Sequence, residues 1–191
     1  MGYRMGAAVL AGGKASRFGS DKTRLVVDGC TLVSRLLAAQ AQAGLGPLYL
    51  CAADAPPDLP PGVNVIADEV PGLGPLGALA GLLARVAGPV LVAAGDMPGL
   101  DAEAFQALAG AYDPDQAGLV ARDARGWQPL LAVYSPALLP LLRQRLALGQ
   151  RSLQGWVEAA GLPAWALPHP EWAMNLNRPE DWEAWRRDRG L

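Results

Sequence analysis

Ala7-Ala-Val-Leu-Ala-Gly-Gly-Lys-Ala-Ser-Arg-Phe-Gly-Ser-Asp-Lys22 begins as a short apolar run and breaks into paired glycines and grouped cations. Ala7 to Leu10 reads as a buried strand. Gly12 and Gly13 then let the backbone turn tightly and approach a ligand with no Cβ in the way. Lys14, Arg17 and Lys22 follow within one loop, with Phe18 almost the sole apolar interruption. A strand, a glycine turn and clustered cations together form a cradle for a polyphosphate. The spacing excludes two common cradles. A P-loop needs G-x-x-x-x-G-K-[ST]; here one residue too many separates Gly13 from Gly19, and Ser20 stands where the lysine belongs. The dinucleotide fingerprint G-x-G-x-x-G is not met by adjacent glycines followed by charge.

Outward from this loop the chain alternates between strand-like and helix-like segments. Leu25 to Val27 is a brief strand ending at the turn pair Asp28-Gly29. Thr31 can cap a helix whose Leu32, Val33, Leu36 and Leu37 share one face and which stops at Gly44. Leu48 to Ala52 and Val63 to Ile66 read as strands on either side of a proline-rich loop, Asp54 to Pro61. Pro75 suits the first turn of a helix from about Leu76 to Val86. Pro89 to Ala94 is too continuously apolar for a half-exposed strand and predicts the middle of a parallel sheet. It runs into Gly95-Asp96-Met97-Pro98. Asp101 caps a helix to about Tyr112, residues 117–121 and 128–134 pair as strands, and Pro136 opens a helix through Leu148. Ser152 to Ala159 is helical and Ala164 to Leu167 is a last strand. Pro179 starts a final helix, with Glu180 and Asp181 early and Arg186, Arg187 and Arg189 late, as the helix dipole favours.

This alternation predicts an α/β fold with a doubly wound, mostly parallel central sheet flanked by helices, in a single domain over residues 1–191. Ligands of such sheets sit beyond the carboxyl ends of the strands. The polar and glycine-rich stretches after Leu10, Ile66 and Ala94 and near Asn175 all fall there.

Composition bounds the function. A net charge of −2 leaves no global basic field for nucleic acid, so any nucleotide contact is local. No apolar run approaches the roughly 20 residues that span a bilayer. Cys30 and Cys51 have no metal-type spacing, and their scarcity suits a reducing cytoplasm. The chain enters a strand almost at once, so no signal peptide is expected.

Five motifs occur in order between residues 7 and 182. They are Leu10-Ala-Gly-Gly-x-x-x-Arg17-Phe-Gly-x-Asp21-Lys22, Asp68 upstream of Gly74-Pro75-Leu76, Gly95-Asp96-Met-Pro98, Gln128-Pro-Leu130 and Asn175-Leu-Asn177-Arg-Pro179-Glu-Asp181. The set resembles the nucleotidyltransferases of Rossmann-like, GT-A-type fold, and among them the molybdenum cofactor guanylyltransferases. The resemblance implies transfer of GMP from GTP to the terminal phosphate of molybdenum-loaded molybdopterin, with loss of pyrophosphate. It implies Mg²⁺ as cofactor, and molybdoenzymes or cofactor-delivery proteins as further partners.

Phosphoryl-type transfer asks a protein mainly for positioning and charge neutralisation. Arg17 and Lys22 can neutralise the triphosphate and the departing pyrophosphate. Leu10, Ala11, Gly12 and Gly13 bring backbone to the nucleotide, and the N–H groups of the glycines can hold phosphate oxygens. Asp96 can hold Mg²⁺, which favours one or two carboxylates plus phosphates. Asp68 is either a nucleotide contact or a turn acid. The resemblance makes Asn175 and Asn177 contacts to the acceptor or a second metal; otherwise they are turn and cap formers. No side-chain nucleophile is needed, in keeping with a chain holding one histidine. Gly13 favours guanine, because the related cytidylyltransferases usually carry alanine there. Phe18 stands where the family has methionine, and Cys51 where it often has a nucleotide-contacting asparagine. Lys14 is equally a solvated loop charge, and His169 is structural or exposed. Trp172, Trp182 and Trp185 could stack a pterin, although the helix spacing of the last two reads as packing. Two other readings stay open. One is a related nucleotidyltransferase using CTP or a sugar phosphate. The other is a non-catalytic GTP-binding accessory protein, which the presence of both Asp96 and Lys22 disfavours.

Overall fold

The computed structural model describes residues 4–11, 25–27, 29–67, 73–176 and 178–188. Along the chain these form β1 (Gly6–Leu10), β2 (Val26–Val27), β3 (Cys30–Thr31), α1 (Leu32–Gln42), β4 (Leu48–Cys51), β5 (Asn64–Ile66) and α2 (Gly74–Leu83). There follow β6 (Val90–Ala94), α3 (Ala102–Ala111), β7 (Gly118–Asp123), β8 (Gly126–Tyr134), α4 (Leu139–Ala147), α5 (Leu153–Ala160), β9 (Ala164–Ala166) and α6 (Pro179–Asp188). Tight 3₁₀ turns sit at Pro136–Leu138 and Pro170–Ala173. The expected helix from Pro136 to Leu148 is thus divided. Pro140 has no N–H for a preceding turn and fits only the first turn of an α-helix, so α4 begins at Leu139.

The main sheet runs in the order β5-β4-β1-β6-β8-β7-β9. Within it only β8 opposes the common direction. The run from Pro89 to Ala94 does lie mid-sheet as β6, but its neighbours differ from expectation: β1 is parallel and β8 antiparallel. Helices cover both faces, so β6 is buried whichever way its neighbour runs, and an apolar run does not distinguish the two. β2 and β3 form a separate small hairpin.

Successive side chains on a strand point to opposite faces, and β6 shows this plainly. Leu91 and Ala93 join the core under α1, α3 and α6, with Leu36, Leu37, Phe105, Leu108 and Trp185. Val90 and Val92 join the core under α2, α4 and α5, with Leu79, Leu82, Leu142 and Trp156. In the second core Tyr134 meets Trp156 edge-on, ring centroids 4.9 Å apart. Burial pushes the Tyr134 phenol well above its ordinary range, and its hydroxyl donates to the Pro129 carbonyl at 2.7 Å.

The α1 amino end is doubly capped. Thr31 accepts from the Ser34 N–H, as its position predicts. Asp58, from the proline-rich loop, accepts from the Thr31 N–H at 2.6 Å, the Thr31 hydroxyl at 2.8 Å and the Ser34 hydroxyl at 3.0 Å. Burial acts to raise the Asp58 pKa, but these hydrogen bonds outweigh it and hold the carboxyl below its ordinary value.

One irregularity shapes the functional edge. β8 pairs with β6 only as far as Ala93 opposite Leu131. Against β7 its register jumps from Val120–Ala132 to Ala121–Gln128. The slip contains Pro129, which has no N–H for a ladder. β6 ends one residue after its last pair with β8, and the β7–β8 hairpin runs on past it on the Asp96 side.

Candidate active site at the carboxyl edge of the sheet

Strand order reverses at β1. The chain runs outward from it to β4 and β5, then returns across it to β6. Crevices at such reversals are the binding places of open α/β sheets. The mouth here is made by Leu10-Ala11 leaving β1 and Gly95-Asp96 leaving β6. Gly95 N–H donates to the Leu10 carbonyl at 2.9 Å, Ala11 N–H to Cys51 at 2.9 Å and Ala52 N–H to Ile66 at 3.2 Å. The carboxyl ends of β6, β1, β4 and β5 are thereby stitched in a row. A Cβ at Gly95 would stand 3.1 Å from that of Ala11, so a glycine lets the two exits lie against each other.

Asp96 is half-buried, and its backbone carbonyl accepts the Leu176 N–H at 2.9 Å. That bond brings the Ala173–Leu176 segment to the end of β6. Asn175 donates through Nδ2 to the Ala173 carbonyl at 3.2 Å. Arg125, at the tip of the β7–β8 hairpin, donates through Nη2 to the same carbonyl at 3.2 Å. Its guanidinium also donates to Asp123 Oδ2, from Nε at 2.9 Å and Nη2 at 2.7 Å. Burial acts to raise the Asp123 pKa, but hydrogen bonds from Arg125 and Gln128 hold it below the ordinary carboxylate value. The Pro170–Ala173 turn rests on the loop after Asp96, where a Cβ at Gly99 would overlap the Glu171 carbonyl oxygen.

Of the residues expected at the site, Ala11, Asp96 and Asn175 come together at this edge. Leu10 reaches it through its backbone, because its side chain is buried in the core under α2. Gly12, Gly13, Arg17, Lys22, Asp68 and Asn177 lie outside the described residues, as does Lys14. Cys51 is 1% exposed and packs beside Leu10 and Ile66, so its thiol faces the core. Trp172 is buried and stacked on Trp165 at 6.2 Å, and Trp182 is stacked on buried Trp185 at 5.6 Å. Those rings serve packing. His169 is exposed, 3.4 Å from Glu171. Sequence reasoning missed Asp123, Arg125 and Gly99. The Gln128-Pro-Leu130 motif was the available signal, since it marks the slipped part of β8, but it names none of the three.

Among the described residues no three His, Cys, Asp or Glu side chains gather into a metal cage. The single carboxylate of Asp96 fits a hard cation that takes one or two carboxylates and completes its shell with phosphates and water. A cavity of about 530 Å³ at the opposite edge is lined by Met5, Pro89, Tyr112, Pro114 and Ser135, among others. There the Tyr112 hydroxyl donates to the Gln116 carbonyl at 2.7 Å. Among the described residues no helix is long and apolar enough to cross a membrane.

Residues 7–164 match the MobA-like NTP transferase domain. The chain is 36% identical over 193 residues to a probable molybdenum cofactor guanylyltransferase of Opitutus terrae, covering 96% of this chain and 95% of that one. It is 37% identical over 194 residues to a protein of the same description from Chloroflexus aggregans, covering 93% and 91%. In fold it is similar to the molybdopterin-guanine dinucleotide biosynthesis protein A of Archaeoglobus fulgidus, with a TM-score of 0.79 at 21% identity over 97% and 99% of the two chains.

Proposed function

The chain belongs to the MobA-like NTP transferase family, and from that premise we propose that it transfers GMP from GTP to the terminal phosphate of molybdenum-loaded molybdopterin. The carrying observation is a likeness to molybdenum cofactor guanylyltransferases that runs nearly end to end. A terminal phosphate oxygen of the acceptor attacks the α-phosphorus of GTP. The new P–O bond forms as the bond to pyrophosphate breaks, giving the guanine dinucleotide cofactor with no covalent enzyme intermediate.

The residues divide this work by position. Gly12 and Gly13, following Leu10 and Ala11, hold phosphate oxygens through backbone N–H groups, and Gly13 leaves room for guanine. Arg17 and Lys22 neutralise the triphosphate and the leaving pyrophosphate, and Asp68 contacts the nucleotide. Asp96 is the residue that would hold Mg²⁺, whose contribution when bound is to neutralise charge on the phosphates and leaving group. Asn175 and Asn177 face the acceptor or a second metal. We take residues 1–191 as one catalytic domain working in the cytoplasm. Cys30 and Cys51 are thiols, not a disulfide, as a reducing compartment favours. The product passes to molybdoenzymes or cofactor-delivery proteins.

The test is incubation with GTP, Mg²⁺ and molybdenum-loaded molybdopterin, with mass spectrometry for the guanine dinucleotide and an assay for pyrophosphate. Both products should appear, and GTP should bind more tightly than CTP, UTP or ATP. Tighter binding of CTP with formation of a cytosine dinucleotide overturns the guanine assignment. Binding of GTP without any pyrophosphate release would point to an accessory protein instead.

A further inference from the structure

We infer that Arg125 is a positioning residue that latches the Ala173–Leu176 segment across the carboxyl edge of the sheet, setting Asn175 for the acceptor. The inference rests on the proposed role of Asn175 and begins from the way the segment is fastened. The last pair of β6 with β8 is Ala93–Leu131, and the β7–β8 hairpin runs on past the end of β6. The segment from Ala173 to Leu176 bridges them and is fastened at both ends. On the β6 side Leu176 donates to the Asp96 carbonyl; on the hairpin side the Ala173 carbonyl accepts from Arg125.

The second argument is the way Arg125 is held. Its side chain is 60% exposed, yet it is forked onto a carboxylate whose own side chain is 8% exposed. Asp123 is fixed in turn by the Arg125 N–H at 2.8 Å and by Gln128 Nε2 at 3.3 Å. An idle surface arginine has no such mount. The planar fork lets one guanidinium serve Asp123 and the Ala173 carbonyl together, which a lysine ammonium on a flexible stem does poorly. The Ala173 carbonyl also accepts from Asn175 Nδ2, so the latch and the Asn175 side chain share one anchor.

The third argument is direction. β1, whose exit carries the proposed nucleotide contacts, lies on one side of β6, with β4 and β5 beyond it. The latch lies on the other side, toward β8 and β7. Losing it should disturb the acceptor and leave the nucleotide in place.

The experiment uses the full chain with Arg125→Ala and Arg125→Lys. Amide hydrogen exchange at Leu176 should speed up by about tenfold or more in Arg125→Ala, while Val92 in β6 exchanges as in the parent. The melting temperature and the GTP dissociation constant should stay close to parental values. With molybdenum-loaded molybdopterin, KM for the acceptor should rise and kcat should fall, their ratio dropping by about tenfold or more. Arg125→Lys should recover part of that loss. Unchanged exchange at Leu176 overturns the latch, as does a loss of GTP affinity and melting temperature in step with the loss of rate. If the parent enzyme forms no guanine dinucleotide, the functional reading fails on its own, and the exchange at Leu176 still decides the latch.

Discussion

Asp96 does two things with two different groups. Its carbonyl fastens Leu176, and its carboxylate is the acid proposed to hold Mg²⁺. Asp96→Asn separates them, because it keeps the carbonyl and nearly the same volume. The variant should melt within about 0.5 kcal/mol of the parent, while kcat falls by about 10²–10³-fold. Calorimetry and a pyrophosphate assay check both halves, and a rate within threefold of the parent removes Asp96 from the chemistry. This residue was legible because a lone acid directly after the most apolar run of an α/β chain lies at the carboxyl edge by topology alone. Arg125 was not legible. Its contact is to a backbone carbonyl 48 residues away, and a carbonyl carries no side-chain signature. At Cys51, where the family often has a nucleotide-contacting asparagine, a small apolar residue in a strand reads as buried, and it is 1% exposed.

Among the elements, α1 shows how a cap can be half read. Thr31 before an apolar helical face is a local signal, whereas Asp58 reaches it from 27 residues downstream. Asp58→Asn should cost about 0.5–1 kcal/mol at pH 7, at the low end for a cap because solvent screens the carboxylate. The pH dependence has a fixed sign. The folded pKa lies below the ordinary value of 3.8, so the stabilisation is complete above about pH 4–5 and is lost as pH falls through the folded value. Thermal melts from pH 7 to pH 2 should show the gap between parent and variant closing at the acid end. A gap independent of pH would mean the carboxylate charge contributes nothing. β8 marks the limit of pattern reading for strands. Its pairing with β7 follows from a turn between two apolar runs. Its insertion between β7 and β6 depends on long-range packing of side chains buried on both faces.

At the scale of the molecule, the sheet separates two cores, and the proposed site lies at its carboxyl edge. Trp156 sits fully buried in the α2–α4–α5 core against Tyr134, away from the carboxyl edge where Asp96 lies. Trp156→Ala should therefore destabilise by about 3–5 kcal/mol, read as a lower denaturation midpoint. In the cold, kcat per folded molecule should stay within about twofold of the parent; a larger loss there would show that this core supports the site directly. The layered architecture was readable from alternation alone. The register slip between β7 and β8 was not, because it is a property of two strands together and neither sequence announces it.

The bond from Leu176 to Asp96 also sets an order of events during synthesis. Every strand of the sheet precedes Ala173 in the chain, so a growing polypeptide can lay down its whole sheet before the bridging segment leaves the ribosome. At roughly 5–20 residues per second, the roughly ten residues from the end of β9 at Ala166 to Leu176 take about 0.5–2 s to make. For that interval every strand exists while the bridge to Asp96, and the Trp185 that completes the core under α1, α3 and α6, are still to come. Closure of this edge thus reports synthesis past Leu176, and a polypeptide that stops short of Ala173 lacks both the bridge and the Leu176 and Trp185 that fill one core.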